Sequence, residues 1–149
     1  MLDEGSVHGT QWGVFASRAS RSPQSRDRPC ITVAALSKYG NYQNAGACGP
    51  LAPENGLHFP PIHPLIGGSG GSVFAVSFRQ DVVSAKIVFG SGRIIEKPTH
   101  LLSFHQATKT HLTRFRFLTL ALHNDVCLAQ ITGYDRVGGE VLSSETKEC

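Results

Sequence analysis

The sequence predicts an all-β, mostly antiparallel domain, prism, sandwich or barrel-like, behind a poorly ordered N-terminal arm. Three observations predict it. First, Val73 to Phe78 and Val82 to Phe89 alternate with the two-residue period of pleated strands. Phe74, Val76 and Phe78 share one face of the first run, and Val83, Ala85, Ile87 and Phe89 share one face of the second. Second, further short apolar runs follow at close intervals with turn residues between them, giving roughly six strands in the spacing of a sheet protein. Third, seven of the eight prolines precede Gly67, so the two halves of the chain are different material.

Taken in order, Met1 to Pro29 is rich in Ser, Arg, Gly and Gln, and its Arg18 to Arg28 tract has almost no apolar side chains to repay ordering entropy. The expectation is an arm in which only Trp12 and Phe15 dock. Ile31, Val33, Ala35 and Leu36 give a short pattern that fits a strand or a turn and a half of helix. Tyr39 to Pro50 reads as turns and loop, because Gly and Asn supply positive-φ positions and Pro50 and Pro53 break regular structure. With Pro60, Pro61 and Pro64 continuing that character, the arm spans residues 1–61 and a β domain residues 62–149.

Within the second part, Arg79-Gln80-Asp81 is short and polar, as a hairpin connection between the first two runs would be. Gly90-Ser91-Gly92 predicts a turn, and Arg93 to Glu96 a short strand ended by Pro98. From Leu112 to Leu122, Phe115 and Phe117 have one parity while Leu118, Leu120 and Leu122 have the other. A single-faced strand would need a β-bulge near Phe117 to reconcile them. Val126 to Thr132 and Glu140 to Ser144 are the last strands, flanking a Gly133 to Gly139 loop. There is no internal repeat.

The chain's 149 residues suffice for one domain, and its formal charge of +3 falls short of the basic stripe of a dedicated nucleic-acid binder. No apolar run approaches the roughly 20 residues of a membrane helix, so no membrane partner is expected. The first residues lack a basic and then apolar leader, which favours a cytoplasmic location. Cys30, Cys48, Cys127 and Cys149 permit three pairings, but their spacing matches no disulfide framework, and free thiols are the expectation.

Gly67-Gly68-Ser69-Gly70-Gly71 satisfies the G-x-S-x-G pattern of a nucleophile elbow, yet a Pro-rich stretch precedes it and a strand follows, the wrong context for Ser69 as nucleophile. It lacks the Lys-Ser/Thr pair of a phosphate loop. His100, His105 and His111 lie too far apart for the tight ligand pairs of zinc sites. Arg79, Lys86, Arg93, Lys97, Lys109, Arg114 and Arg116 with Phe104, Phe115 and Phe117 suggest a weak single-stranded nucleic-acid face, but the parity of Arg114 and Arg116 against Phe115 and Phe117 makes those aromatics core and those arginines solvent-facing. No carboxylate pair or Cys/His arrangement supports catalysis, so the reading is non-enzymatic, with no cofactor and no metal. The oligomeric state is open.

From Gly67 onward the chain resembles the jacalin-related lectin family. The likeness lies in the glycine-rich loop followed by Phe74, then Val83-Ser-Ala-Lys-Ile-Val-Phe89, Leu120 to Gly133 with its I-x-G ending, and Val141-Leu-Ser-Ser-Glu-Thr146, over about residues 67–147. It implies a β-prism and a glycan as partner, held by main-chain donors at Gly67, Gly68, Gly70 and Gly71. Tyr134 is then the candidate stacking face and Asp135 the candidate acceptor, although a turn Asp more often caps its own backbone. The family's C-terminal G-x-x-x-D loop has no counterpart here, so the resemblance implies an incomplete site. The alternative is a structural or interaction protein without a small-molecule site.

Overall fold

A computed structural model describes residues 1–7, 9–36, 39–49, 72–122 and 128–145. Among them the chain is mostly antiparallel β, in three sheets with one short α-helix. The glycine-rich loop, Cys127 and Cys149 lie outside the described residues.

The N-terminal stretch corrects the expectation of an arm. β1 (Asp3–Val7), β2 (Thr10–Arg18), β3 (Pro29–Leu36) and β4 (Tyr42–Cys48) form a four-stranded sheet in sequential order. The apolar signal is thin because only alternate residues need burial: Val7, Val14, Ile31, Val33 and Ala35 face the core, with Trp12 packed beside them. Phe15 sits on the opposite face and is exposed, so of the two aromatics expected to dock only Trp12 does. The Arg-rich tract between β2 and β3 folds into a 3₁₀ turn over Pro23–Asp27. There the buried Ser25 Oγ lies 2.6 Å from the carbonyls of both Ser20 and Ser22. The segment read as loop contains β4. Its Gly46 is required by close approach, since a Cβ there would stand 2.7 Å from Thr32 Oγ1 and 2.9 Å from the Ile31 carbonyl.

A second correction concerns Cys30 and Cys48. They are register partners on β3 and β4 and form a disulfide, which the loop-like reading of residues 39–50 had hidden.

The expected hairpin after the glycine-rich loop is also not one. β5 (Ser72–Phe78) pairs with β9 (Arg116–Leu122), whereas β6 (Ser84–Phe89) lies in another sheet between β7 (Ile94–Pro98) and β10 (Leu128–Tyr134), with β11 (Glu140–Glu145) beyond β10. Arg79-Gln80-Asp81 therefore carries the chain from one sheet to the next, tightened by Val82 N–H donating to the Arg79 carbonyl and by the Arg79–Asp81 ion pair. Period-two alternation fixes which face a residue occupies but not which strand pairs with which. The faces themselves are as expected for Phe74, Val76 and Phe78, which meet Ala85, Ile87 and Phe89 in one core; Val82 joins them in place of Val83.

The parity conflict around Phe117 has a different resolution from a bulge. β9 pairs with β5 from Arg116 to Leu122 without a register shift. Its sheet, completed by β8 (His100–Leu101), is covered on both faces. Phe115, Phe117, Val73 and Ala75 pack toward β1–β4, while Leu118, Leu120, Leu122, Phe74, Val76 and Phe78 pack toward β6 and β10. The three sheets thus stack as layers around two cores. α1 (Phe104–Thr110), unforeseen from the sequence, helps close the first core through Ala107. Ser103 and Gln106 form a capping box at its start, and His111 ends it in the left-handed conformation.

Candidate binding groove at Tyr134

The sheet β11-β10-β6-β7 turns one face to the second core and the other to solvent. In β6 the residues alternate between half-buried and buried, so Ser84, Lys86 and Val88 belong to the outer face. Register then sets Tyr134 of β10 opposite Ser84, and Ser84 opposite Pro98 of β7, in one row across three strands. One step along β7, Glu96 stands opposite Lys86.

Ser84, Glu96, Pro98 and Tyr134 wall a shallow, open groove of about 460 Å³. Tyr134 and Pro98 supply flat apolar surface and Ser84 a hydroxyl, while Glu96, Lys97 and Gly138 complete the rim. The Arg79–Asp81 pair is the only ion pair among the described residues, so the Glu96 carboxylate is in no ion pair there. The groove therefore offers a carboxylate and a hydroxyl beside a flat ring, while Lys97, opposite the core-facing Ala85 in register, has the other parity.

Tyr134 is held by its neighbours on both sides. Its carbonyl accepts from Val83 N–H at 2.8 Å. The β10–β11 register shifts between Gly133 and Tyr134, and Gly133 allows the close fit because a Cβ there would stand 2.7 Å from Val82 Cγ1. Asp135, the candidate acceptor, is turned onto its own loop. Its Oδ1 accepts from Val137 N–H at 3.0 Å and Gly139 N–H at 2.8 Å. Asp135 N–H donates to the Gly139 carbonyl, and Gly138, at φ +81°, donates back to the Asp135 carbonyl. Asp135 thus shapes the tip from which Gly138 meets the groove. The sequence-predicted pair is divided accordingly: Tyr134 lines the groove and Asp135 braces its rim.

Gly67, Gly68, Gly70 and Gly71, like Ser69, lie outside the described residues. Ser84, Glu96, Lys97, Pro98 and Gly138 escaped sequence reasoning. The signal was present, since the Gly90-Ser91-Gly92 turn and a strand ending at Pro98 define the β6–β7 hairpin whose register puts Ser84 beside Pro98.

The other candidates lie apart from this groove. His100 is on β8 with its ring 5.8 Å from that of Phe117, His105 is on α1, and His111 is the α1 cap. No group of three or more His, Cys, Asp or Glu converges among the described residues. Arg114 donates from Nε to the Leu102 carbonyl and stacks its guanidinium 3.9 Å over the Phe104 ring. Arg116 donates to the carbonyls of Gln80 and Thr99. Phe115 and Phe117 are buried and offer no stacking surface, whereas Phe104, the third aromatic of the nucleic-acid alternative, is exposed beneath Arg114. No described helix is long and apolar enough to cross a membrane. Comparison of the chain with protein-family models, with curated proteins and with solved structures finds no match.

Proposed function

We propose that this chain is a non-enzymatic carbohydrate-binding module whose site is the groove at Tyr134. The observation that carries the reading is the Tyr134, Ser84 and Pro98 row, with Glu96 on the same face at its rim and in no ion pair. A pyranose has a C–H face that packs on a flat ring and equatorial hydroxyls that both donate and accept. A tyrosine beside a carboxylate and a hydroxyl meets both demands in one shallow site. An open groove of this kind suits a terminal sugar rather than an engulfed small molecule. The resemblance of residues 67–147 to a lectin family, which singles out Tyr134 as a stacking face, supports the same reading.

The test is a glycan array read with the full chain, followed by calorimetry on any hit. Tyr134→Ala abolishes retention and Glu96→Gln weakens it about tenfold, the loss of one charge-assisted hydrogen bond of roughly 1.5 kcal/mol, while the thermal transition stays in place. A folded parent that retains no glycan refutes the proposal.

A further inference from the structure

The N-terminal sheet ends on β4, and no strand among the described residues takes up its outer edge. Edge strands invite pairing unless charges, proline or bulges prevent it. β1 carries Asp3 and Glu4, β7 carries Glu96, Lys97 and Pro98, and β11 carries Glu140 and Glu145. β5 is uncharged but is packed in a core on each face. β4, Tyr-Gln-Asn-Ala-Gly-Ala-Cys, has no charge and no proline, and it pairs with β3 without a register shift. β3 beside it is uncharged as well.

One bond decides which backbone groups point into that edge. Gly49 N–H donates to the Pro29 carbonyl at 3.3 Å, one step beyond the Cys30 and Cys48 register pair. Bonded and non-bonded pairs alternate along an antiparallel ladder. Ala47, Ala45 and Gln43 therefore bond to β3, whereas Cys48, Gly46, Asn44 and Tyr42 direct their N–H and C=O groups outward. The disulfide fixes the end of this strand in register.

We infer that β4 is a homodimer interface: a second copy of this chain pairs with it antiparallel about a two-fold axis through Ala45. In that register Asn44 meets Gly46 of the second copy and Tyr42 meets Cys48, so every outward-facing residue exchanges hydrogen bonds. Even-numbered residues oppose even-numbered ones, which keeps the two solvent faces on the same side. An uncharged strand opposing itself places no like charges together. The side chains at the seam fit the same occupant. Leu36 and Tyr42, register partners on the outer face, are 46% and 63% exposed, and the symmetric pairing brings each Tyr42 beside the disulfide of the other copy. An unrelated extended peptide would use the edge but would not return this contact from both sides.

Sedimentation equilibrium of the full chain over a range of concentrations tests the inference. The parent sediments at twice the 16.0 kDa chain mass at the upper end. Asn44→Pro removes an outward N–H that β3 does not use, a position where an edge tolerates proline, and sediments at the single-chain mass with its circular dichroism unchanged. Asn44→Lys, which sets a charge at the seam without touching the backbone, does the same. Ala45 pairs with itself on the axis as a non-bonded pair with adjacent Cβ atoms, so Ala45→Cys yields a dimer that survives denaturation and is released by a thiol reductant. Gln43→Cys does not. A parent at the single-chain mass at every concentration, or a dimer that persists in both Asn44 variants, overturns the inference.

Discussion

Cys30 and Cys48 face each other across β3 and β4 and are joined by a disulfide that spans 18 residues of chain. Closing a loop of that size in the unfolded ensemble is worth about 3 kcal/mol in the chain-entropy account. Cys30→Ser with Cys48→Ser is expected to lower the free energy of unfolding in urea by about 2–4 kcal/mol.

The neighbours Phe117 and Leu118 belong to different cores on opposite faces of the central sheet. Truncating either one therefore leaves a cavity. Phe117→Ala is expected to cost about 3–5 kcal/mol and Leu118→Ala about 2–5 kcal/mol in denaturant titrations. A sheet with one solvent face would lose stability from only one of the two, so comparable losses are the signature of the layered arrangement.

Gly46 faces the β3 backbone too closely for a side chain, with the Ile31 carbonyl 2.9 Å from where a Cβ would sit. Backbone cannot swing aside as a side chain does. Gly46→Val is expected to destabilise by about 1–3 kcal/mol, read as a lower urea midpoint.

Asp135 separates bracing from binding. Asp135→Asn keeps an oxygen for the Val137 and Gly139 amides and is expected to retain stability and glycan affinity. Asp135→Ala leaves both amides to solvent, costs about 1 kcal/mol, and weakens binding by loosening Gly138 at the groove. Equal losses in the Asn and Ala variants would instead make the carboxylate charge a direct ligand contact.

Face assignments were legible in the sequence wherever alternation was strong, and pairings were not. Phe74, Val76 and Phe78 do share a buried face, but nothing in their spacing says that their strand joins β9 rather than β6. The Leu112 to Leu122 parity held the answer in plain view: apolar residues on both faces mark a strand covered on both sides. β2 went unnoticed, and β3 was legible only as a pattern open between strand and helix, because Ser, Gly and Thr on their outer faces dilute a buried set as small as Val14, Ile31 and Val33. α1 had a readable sign in Ser103 and Gln106, three residues apart. At the site, Tyr134 was accessible to sequence reasoning as an aromatic next to a turn. Glu96 and Ser84 required the hairpin register, a relation between positions that no single residue announces.

The middle layer also governs how the molecule must assemble. Ser72 opens β5 and pairs with Leu122 at the end of β9, so the chain between them, including the β6–β7 hairpin and α1, has to be looped out before the two strands meet. Only after that closure is there a surface on which the outer layers can settle. The local hairpins can form early, but productive collapse waits on a contact that is distant in sequence, and loop-closure entropy is spent before burial returns it. Refolding should therefore run on the millisecond-to-second scale of sheet proteins dominated by non-local pairing rather than on the microsecond scale of locally connected folds.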